Sequence, residues 1–107
     1  MKIIIVGCGK VGSSLAARLS AEGHEVTIVD KNGEKLKTVA ERIDVLGMEG
    51  DGVSYEVLLE AGIKDANLLI ATTDSDEHNL LSALFAKQAA NCHIIARIRN
   101  PEYYDKL

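Results

Sequence analysis

The sequence is poor in the residues that cross-link or stiffen small proteins. Among 107 residues there are two cysteines, one proline and no tryptophan, and aromatic residues make up 4% of the chain. Cys8 and Cys92 do not form a C-x-x-C pair and the three histidines do not cluster, so the pattern predicts neither a metal site nor a disulfide framework. With so few rings, the core has to be built from aliphatic side chains.

Positive charge and long apolar runs are also lacking. The formal net charge is −4 at pH 7, which argues against nucleic acid as a partner because a nucleic-acid-binding domain needs a basic face. No apolar run approaches the roughly 20 residues that a membrane-spanning helix requires. We therefore expect a cytoplasmic domain.

What the sequence does contain is five short aliphatic runs separated by segments of helical periodicity. The runs are KIIIVG, EVTIVD, IDVLGM, NLLIAT and HIIARI. Each is too short for a helix and rich in β-branched residues, which predicts strands buried on both faces of a parallel sheet. The alternation of strands and helices predicts an α/β fold, a Rossmann-like doubly wound parallel sheet with strand order 3-2-1-4-5.

The domain organisation is predicted to be simple. Residues 1–100 are expected to form one Rossmann-type nucleotide-binding domain. Asn100 and Pro101 have the order of a helix cap and first turn, so residues 101–107 are expected to start a following crossover helix. Because that helix has barely begun, we expect the sequence to be a piece of a longer chain, and the fold prediction leaves room for a sixth strand.

The helical segments carry start signals. Asn32 is a candidate N-cap, and either Asp74 or Ser75 opens the longest helix, with Glu77 in reach for a capping box. Ser54 precedes a shorter helix in the same way. The apolar stripe of the first helix is predicted at three positions: Val11, Leu15 and Leu19.

The stretch GCGKVG follows the first predicted strand and opens the first predicted helix. In the G-x-G-x-x-G fingerprint, Gly7 permits the tight turn, Gly9 lets a pyrophosphate approach the backbone, and Gly12 lets the helix pack closely on the strand. The helix N-terminus then offers free N–H groups to an anion. This context favours nucleotide binding over a purely structural turn. Lys10 is either a phosphate clamp or a solvated first-turn residue.

Asp30 ends the second predicted strand, near the distance of about 20 residues beyond the glycines at which the fingerprint expects an acidic side chain. A carboxylate there accepts hydrogen bonds from ribose hydroxyls and repels a 2′-phosphate. Lys31, the next residue, offsets part of that repulsion. The alternative is that Asp30 is a turn residue or caps the following helix.

The third and fourth strand ends are polar as well. Asp51 lies between two glycines, where it either accepts the amine of an adenine or belongs to a plain turn. Thr72, Thr73 and Asp74 follow the fourth strand across the switch point, where ligands of such sheets bind. They are candidates for the second half of a ligand site, although Asp74 is also explained as a helix cap.

Two arginines close the fifth predicted strand. Arg97 and Arg99 are two residues apart and would share one face of a strand. Charges on an inner strand need partners, so Arg97 is expected either to meet an anionic ligand or to pair with Asp74 or Glu77. Arg99 is expected to be solvated beyond the sheet.

No predicted strand end carries a nucleophile with a base or a general acid–base pair. The nearest candidates are Thr73, Asp74 and His78, and His78 is most simply a surface residue in the first turn of a helix. We therefore predict that the protein is not an enzyme. The alternative is the cofactor-binding half of an NAD-dependent oxidoreductase.

The sequence also resembles a known family, the KTN or RCK N-terminal (TrkA-N) domains, which are nucleotide-binding regulatory domains of potassium transport systems. The resemblance covers nearly the whole chain, and its most specific parts are DGVSYEVLLEAGIKDAN, TDSDEHNLL and ARIRNPEY. Ordinary dehydrogenases resemble this chain only through the glycine fingerprint and Asp30.

The resemblance implies a cytoplasmic regulator that binds NAD(H) or ATP/ADP and gates a membrane potassium channel or transporter. It implies a location at the inner membrane face through that partner, and assembly into homo-oligomeric dimers or rings. Lysine at position 10, often Gln or Arg in the family, leaves open whether a diphosphate or a triphosphate is preferred. The implied ligand contacts, with Asn79 as a further candidate, are Gly7, Cys8, Gly9, Lys10, Val11, Asp30, Asp51, Gly52, Thr73, Asp74 and Arg97.

Overall fold

The protein folds around a five-stranded parallel sheet, and the computed structural model describes residues 1–104. The strands are β1 (Lys2–Val6), β2 (Glu25–Asp30), β3 (Leu46–Glu49), β4 (Leu68–Ala71) and β5 (His93–Ala96). The helices are α1 (Lys10–Ala21), α2 (Gly33–Arg42), α3 (Tyr55–Glu60), α4 (Asp76–Ala89) and α5 (Pro101–Tyr104), with a 3₁₀ turn at Ile63–Asp65. The strand order is β3-β2-β1-β4-β5, so the predicted fold class and topology are confirmed.

The central strand divides the core into two layers. Ile3 and Ile5 of β1 pack with residues of α1 and α2 on one face of the sheet. Ile4 and Val6 pack with residues of α3 and α4 on the other face. Ile3, Ile4 and Ile5 have no exposed surface, and burying an aliphatic side chain of this size stabilises the fold by about 1.5–3 kcal/mol. The unbroken run of β-branched residues therefore suits a strand that is covered on both sides.

The two edge strands depart from the prediction that all five strands are buried on both faces. Leu46 in β3 is 66% exposed and Ile95 in β5 is 54% exposed. Within the described residues β3 pairs only with β2, and β5 pairs only with β4. A strand with a single neighbour is covered less completely than a central one, so aliphatic composition alone overestimates the burial of both.

The apolar stripe of α1 also differs from its prediction. The buried residues are Gly12 and Ala16, Leu15 and Leu19 are partly buried against the core, and Val11 is 39% exposed. The helix makes its closest approach to the sheet at glycine, where no side chain intervenes. Val11, which precedes Gly12, therefore points toward solvent.

Three helices begin at the predicted caps. Asn32, Ser54 and Ser75 each accept a hydrogen bond from the N–H three residues later, at 3.1, 3.3 and 3.2 Å. Ser75, and not Asp74, therefore opens α4. The predicted capping box is wrong because the third helical residue is His78, which leaves Glu77 one position early, with its carboxylate 3.4 Å from the Ser75 hydroxyl.

The chain after β5 turns into the short helix α5. Asn100 accepts a hydrogen bond from the N–H of Glu102 at 3.0 Å, and Pro101 is the first helical residue, as the sequence predicted. The rest of the predicted crossover segment, residues 105–107, lies outside the described residues. In the part of the chain that is described, no helix is long and apolar enough to cross a membrane.

Candidate functional site

A cleft of about 230 Å³ opens at the carboxyl ends of the central strands. It lies where the strand order reverses between β1 and β4, the position at which open parallel sheets bind their ligands. Nine of the predicted site residues line it: Gly7, Cys8, Gly9, Asp30, Lys31, Asp51, Gly52, Thr73 and Asp74. The topology thus brings the ends of four strands to one cleft.

The three glycines of the first loop have three different surroundings. Gly7 has a φ of +109°, a conformation that side chains disfavour. A Cβ atom at Gly12 would lie 2.0 Å from the carbonyl oxygen of Gly7 and 2.8 Å from Oγ1 of Thr72. A Cβ atom at Gly9 would meet no atom within 4 Å. The fold therefore requires glycine at positions 7 and 12, whereas at position 9 glycine leaves open space beside the backbone.

The N-terminus of α1 differs from those of α2, α3 and α4 in having no side-chain cap. Gly9 occupies the cap position and has no side chain to accept a hydrogen bond. The first-turn N–H groups of an α-helix have no acceptor within the helix, and together they carry a partial positive charge. This end of α1 lies beside the cleft, so an anion there would find N–H donors that no side chain among residues 1–104 caps.

Asp30 faces this loop from the end of β2. Its Oδ2 accepts the N–H of Cys8 at 2.7 Å and its Oδ1 accepts the N–H of Asn32 at 2.8 Å. The carboxylate therefore holds the glycine loop against the second strand end, which includes the turn role foreseen as an alternative. Each carboxylate oxygen has a second lone-pair direction, so these bonds leave capacity for further donors in the cleft.

Cys8 lines the cleft but is only 4% exposed. Burial raises the pKa of its thiol, the Asp30 carboxylate raises it further, and Lys35 acts in the opposite direction. The thiol is therefore protonated at neutral pH, and a protonated thiol is a poor nucleophile.

An ion pair connects the segments that follow β2 and β3. Lys31 Nζ lies 3.7 Å from Oδ2 of Asp51, and the two side chains are 63% and 43% exposed, so the pair contributes little to stability. Oδ1 of Asp51 accepts the N–H of Val53 at 3.0 Å. A Cβ atom at Gly52 would lie 2.2 Å from Cγ1 of Val6, which gives that glycine a packing role in the fold.

The fourth strand end is fixed by buried polar residues. The Thr72 hydroxyl donates to the carbonyl oxygen of Val6 at 3.2 Å, which ties β4 to β1. Ser82, on α4, has no exposed surface and donates to the carbonyl oxygen of Gly52 at 2.7 Å. The first bond holds the end of β4 against β1, and the second holds the loop after β3 against α4.

Asn79 lies behind the cleft wall with no exposed surface. Its Oδ1 accepts the N–H of Thr73 at 2.9 Å and the Thr73 hydroxyl at 2.7 Å. Its Nδ2 donates to the carbonyl oxygens of Thr73 and Arg97 at 3.1 and 2.8 Å. The amide thus uses both donors and both lone pairs within the protein, and a direct contact with a ligand would require one of these bonds to break.

Four further predicted site residues lie outside the cleft lining. Lys10 and Val11 are exposed in the first turn of α1, and Gly12 is buried under it. Arg97 is half-buried and follows β5, which ends at Ala96, so the alternation argument for the two arginines does not apply. Within residues 1–104 the Arg97 side chain has no ion pair with Asp74 or Glu77. The guanidinium of Arg99 instead donates to the carbonyl oxygen of Asp74.

Several residues that line the cleft are not among those predicted from the sequence. They include Lys35, in the first turn of α2, and Gly50, Val53 and Ser82. A usable signal existed for Ser82, because Asn79, Ser82 and Ala86 form the buried stripe of α4, and polar residues in such a stripe need partners. Lys35 had no comparable signal, since lysine is common on the exposed face of a helix.

The family model and the relatives similar in sequence agree on one family. The family model described as the TrkA-N domain matches residues 3–107. The chain is similar to the Trk system potassium uptake protein TrkA homolog of Archaeoglobus fulgidus, with 41% identity over 106 residues, which is 99% of this chain and 24% of that protein. The chain therefore spans about a quarter of the length of that relative.

Two solved structures share the fold. The GsuK channel bound to NAD has a TM-score of 0.87 at 23% identity, over 99% of this chain and 19% of that chain. The Shewanella denitrificans Kef CTD in its AMP-bound form has a TM-score of 0.79 at 27% identity, over 96% of this chain and 62% of that chain.

Proposed function

The chain belongs to the TrkA-N domain family, and from this premise we propose that it is a cytoplasmic nucleotide-binding domain that regulates a membrane potassium channel or transporter. The ligand is NAD(H) or ATP/ADP. The domain lies at the inner membrane face through its partner and works within a homo-oligomer. Residues 1–100 form the nucleotide-binding unit, and residues 101–107 begin the helix that leaves it.

One observation carries the binding proposal: the uncapped N-terminus of α1 faces a cleft that has Asp30 on its other side. The free N–H groups beside Gly9 suit a phosphate, and the remaining lone pairs of Asp30 suit ribose hydroxyls. Gly50, Asp51 and Val53 flank the place where the base would lie. The relatives named as potassium uptake proteins support the regulatory role.

We propose regulation without catalysis. Cys8 is held protonated by burial, and the titratable side chains that line the cleft do not include a hydrogen-bonded nucleophile–base pair among the described residues. A bound nucleotide therefore acts by stabilising one arrangement of the domain, and the energy of regulation is the difference in affinity between two arrangements.

Isothermal titration of the domain with NAD⁺, NADH, ATP, ADP and AMP tests the binding proposal. At least one adenine nucleotide should bind, and inorganic phosphate should bind more weakly because it has no ribose for Asp30. No heat from any member of the panel would refute the proposal. Turnover of NADH with a carbonyl or quinone acceptor would refute the absence of catalysis.

The potassium role is tested in cells that carry the full-length protein. Uptake of potassium should change when Gly9 is replaced by alanine, because the side chain fills the space reserved for the nucleotide. Equal uptake by the variant and the unaltered protein, at equal expression, would contradict regulation through this cleft.

A further inference from the structure

The fully buried side-chain amide of Asn79 connects the cleft wall at Thr73 to the backbone of Arg97, in the segment that follows β5. On one side it bonds three groups of Thr73, a residue that lines the cleft. On the other side it donates to the carbonyl oxygen of Arg97, 18 residues away in sequence. The orientation of the amide is fixed by these partners, because Thr73 N–H needs an acceptor and both carbonyl oxygens need donors.

We propose that Asn79 is a positioning residue that sets the affinity of the β4 side of the cleft without touching the ligand. The inference rests on the proposed function, since it concerns the same nucleotide site. Asn79 holds the backbone and hydroxyl of Thr73 in one arrangement, and a rigid wall costs a ligand less ordering entropy than a mobile one. By the same amide, the β4–α4 loop and the segment after β5 move together.

The two halves of the cleft give this proposal a differential test. Asp30, Lys31 and Asp51 belong to the β2–β3 side, whereas Thr73, Asp74 and His78 belong to the β4 side. In a doubly wound sheet a dinucleotide crosses the switch point and occupies both sides. AMP contains only the adenosine half with one phosphate, so it depends on the first side. NADH depends on both.

The experiment measures the affinities of NADH and AMP for the unaltered chain, for Asn79→Ala and for Ser82→Ala. Ser82 is the matched control because it lies on the same helix, is equally buried, and bonds Gly52 on the opposite side of the cleft. Asn79→Ala should weaken NADH about tenfold, the equivalent of one well-placed hydrogen bond, and AMP by less than about threefold. Ser82→Ala should weaken both ligands alike.

A loss of affinity for NADH and AMP by equal factors in Asn79→Ala would overturn the positioning role and leave the binding proposal intact. Binding of AMP without binding of NADH to the unaltered chain would also overturn it, because the Thr73 wall would then be unused. Failure of NADH and AMP to bind the unaltered chain would overturn the positioning role. The proposed function itself would be refuted only if NAD⁺, ATP and ADP failed to bind as well.

A measurement on the unaltered chain covers the case in which Asn79→Ala does not fold. At saturation, NADH should shift the NMR resonances of the Asn79 side-chain amide more than AMP does, because only NADH reaches Thr73. The backbone amide resonance of Gly52, whose carbonyl oxygen accepts from the control residue Ser82, should respond to both ligands. Equal shifts of the Asn79 amide by NADH and AMP would overturn the proposal.

Discussion

A methyl group added at Gly9 would extend into open space, whereas one added at Gly12 would clash with the backbone. At Gly9 no atom lies within 4 Å of the added Cβ, and the backbone has a φ of −77° that alanine accepts. At Gly12 the Cβ would lie 2.0 Å from a backbone oxygen, which cannot yield without moving the helix or the loop. Substitutions at these two glycines can therefore test ligand binding and folding separately.

We predict that Gly9→Ala binds nucleotide poorly, while its free energy of unfolding stays within about 1 kcal/mol of that of the unaltered domain. Gly12→Ala should lose about 1–3 kcal/mol of stability because it overpacks the contact of α1 with Gly7 and Thr72, and it should lose binding as well. Chemical denaturation and titration calorimetry measure the two properties separately. Equal stability of the two variants would show that the close contact at Gly12 does not exist in solution.

We expect the charges at the second strand end to determine how the domain discriminates against a ligand with a 2′-phosphate. Asp30 would repel such a group. Lys31 lies beside Asp51, and Lys35 lines the cleft without an ion pair among residues 1–104. Opposed charges of this kind decide between related ligands more than they add affinity.

We predict that NADH binds about tenfold more tightly than NADPH. Lys35→Ala should increase the preference for NADH over NADPH, because the other cation at this strand end, Lys31, lies beside Asp51. Asp30→Asn should reduce the preference, because it removes the negative charge that repels the 2′-phosphate. Asparagine is preferred to alanine at position 30 because it retains an acceptor for the N–H of Cys8 or Asn32. Equal affinities for NADH and NADPH in the unaltered domain would place the ribose away from Asp30.

At the scale of elements, the first turn of α4 holds the segment that follows β5. Asp76 accepts the N–H of Arg99 at 3.0 Å and the N–H of Asn100 at 2.8 Å. The Tyr103 hydroxyl donates to Glu77. The same turn carries the β4 side of the cleft, so the helix start joins the candidate site to the chain that leaves the sheet.

This attachment is predicted to weaken in acid. The backbone N–H groups of Arg99 and Asn100 lower the pKa of Asp76 below its ordinary value of 3.8, and the Tyr103 hydroxyl lowers the pKa of Glu77. A carboxylate with a depressed folded-state pKa stabilises the fold above its unfolded pKa, and the effect is lost as pH falls through the folded value. The attachment is therefore complete above about pH 5 and is released at lower pH.

Amide NMR of Arg99 and Asn100 between about pH 6 and about pH 2 measures the release. Both resonances should titrate together, with a midpoint below the ordinary pKa of aspartate. Asp76→Asn should remove the titration, while Asp65→Asn, at an acidic position in the 3₁₀ turn, should leave it unchanged. A titration that persists in Asp76→Asn would assign the attachment to another group.

At the scale of the whole molecule, binding and stability are linked. A ligand that binds only the folded state, at a hundred times its dissociation constant, adds about 2.7 kcal/mol. For a domain of this size each kcal/mol raises Tm by about 4–8 °C, so saturation should raise Tm by about 10 °C or more. Differential scanning calorimetry with and without NADH, ADP or ATP measures the rise. An unchanged Tm for all three would contradict occupation of the cleft.

Much of the architecture could be predicted because its signals are local. Runs of β-branched residues, caps such as Asn32 and the glycine spacing each act over a few residues, and the right-handed crossover rule orders the strands. The exposure of Leu46 and Ile95 could not be predicted in this way, since it depends on which strands lie at the edge. The predicted capping box was wrong by one position. With Ser75 as the cap, the third helical residue is His78, whereas the motif needs a glutamate there and Glu77 is the second.

The site could be predicted where backbone geometry dictates the residue, and less well where side chains meet over long sequence distances. The fingerprint identified Gly7 and Gly12, whose surroundings exclude a side chain. Nothing in the sequence shows that Ser82 bonds a carbonyl 30 residues away, or that Asn79 bonds the one at Arg97. Such pairs are known only once the sheet has been assembled.

The position of β1 in the middle of the sheet has a consequence for the chain as it leaves the ribosome. β1 is made before the other four strands described for this sheet, and its register with β4 joins Ile3 to Leu68 and Val6 to Ala71. Until those residues emerge, one edge of β1 has no partner strand, and Ile4 and Val6 have no cover from α3 and α4. Unpaired edges and bare aliphatic faces favour aggregation and are what chaperones bind. We therefore expect the emerging chain to be prone to aggregation until β4 has been synthesised.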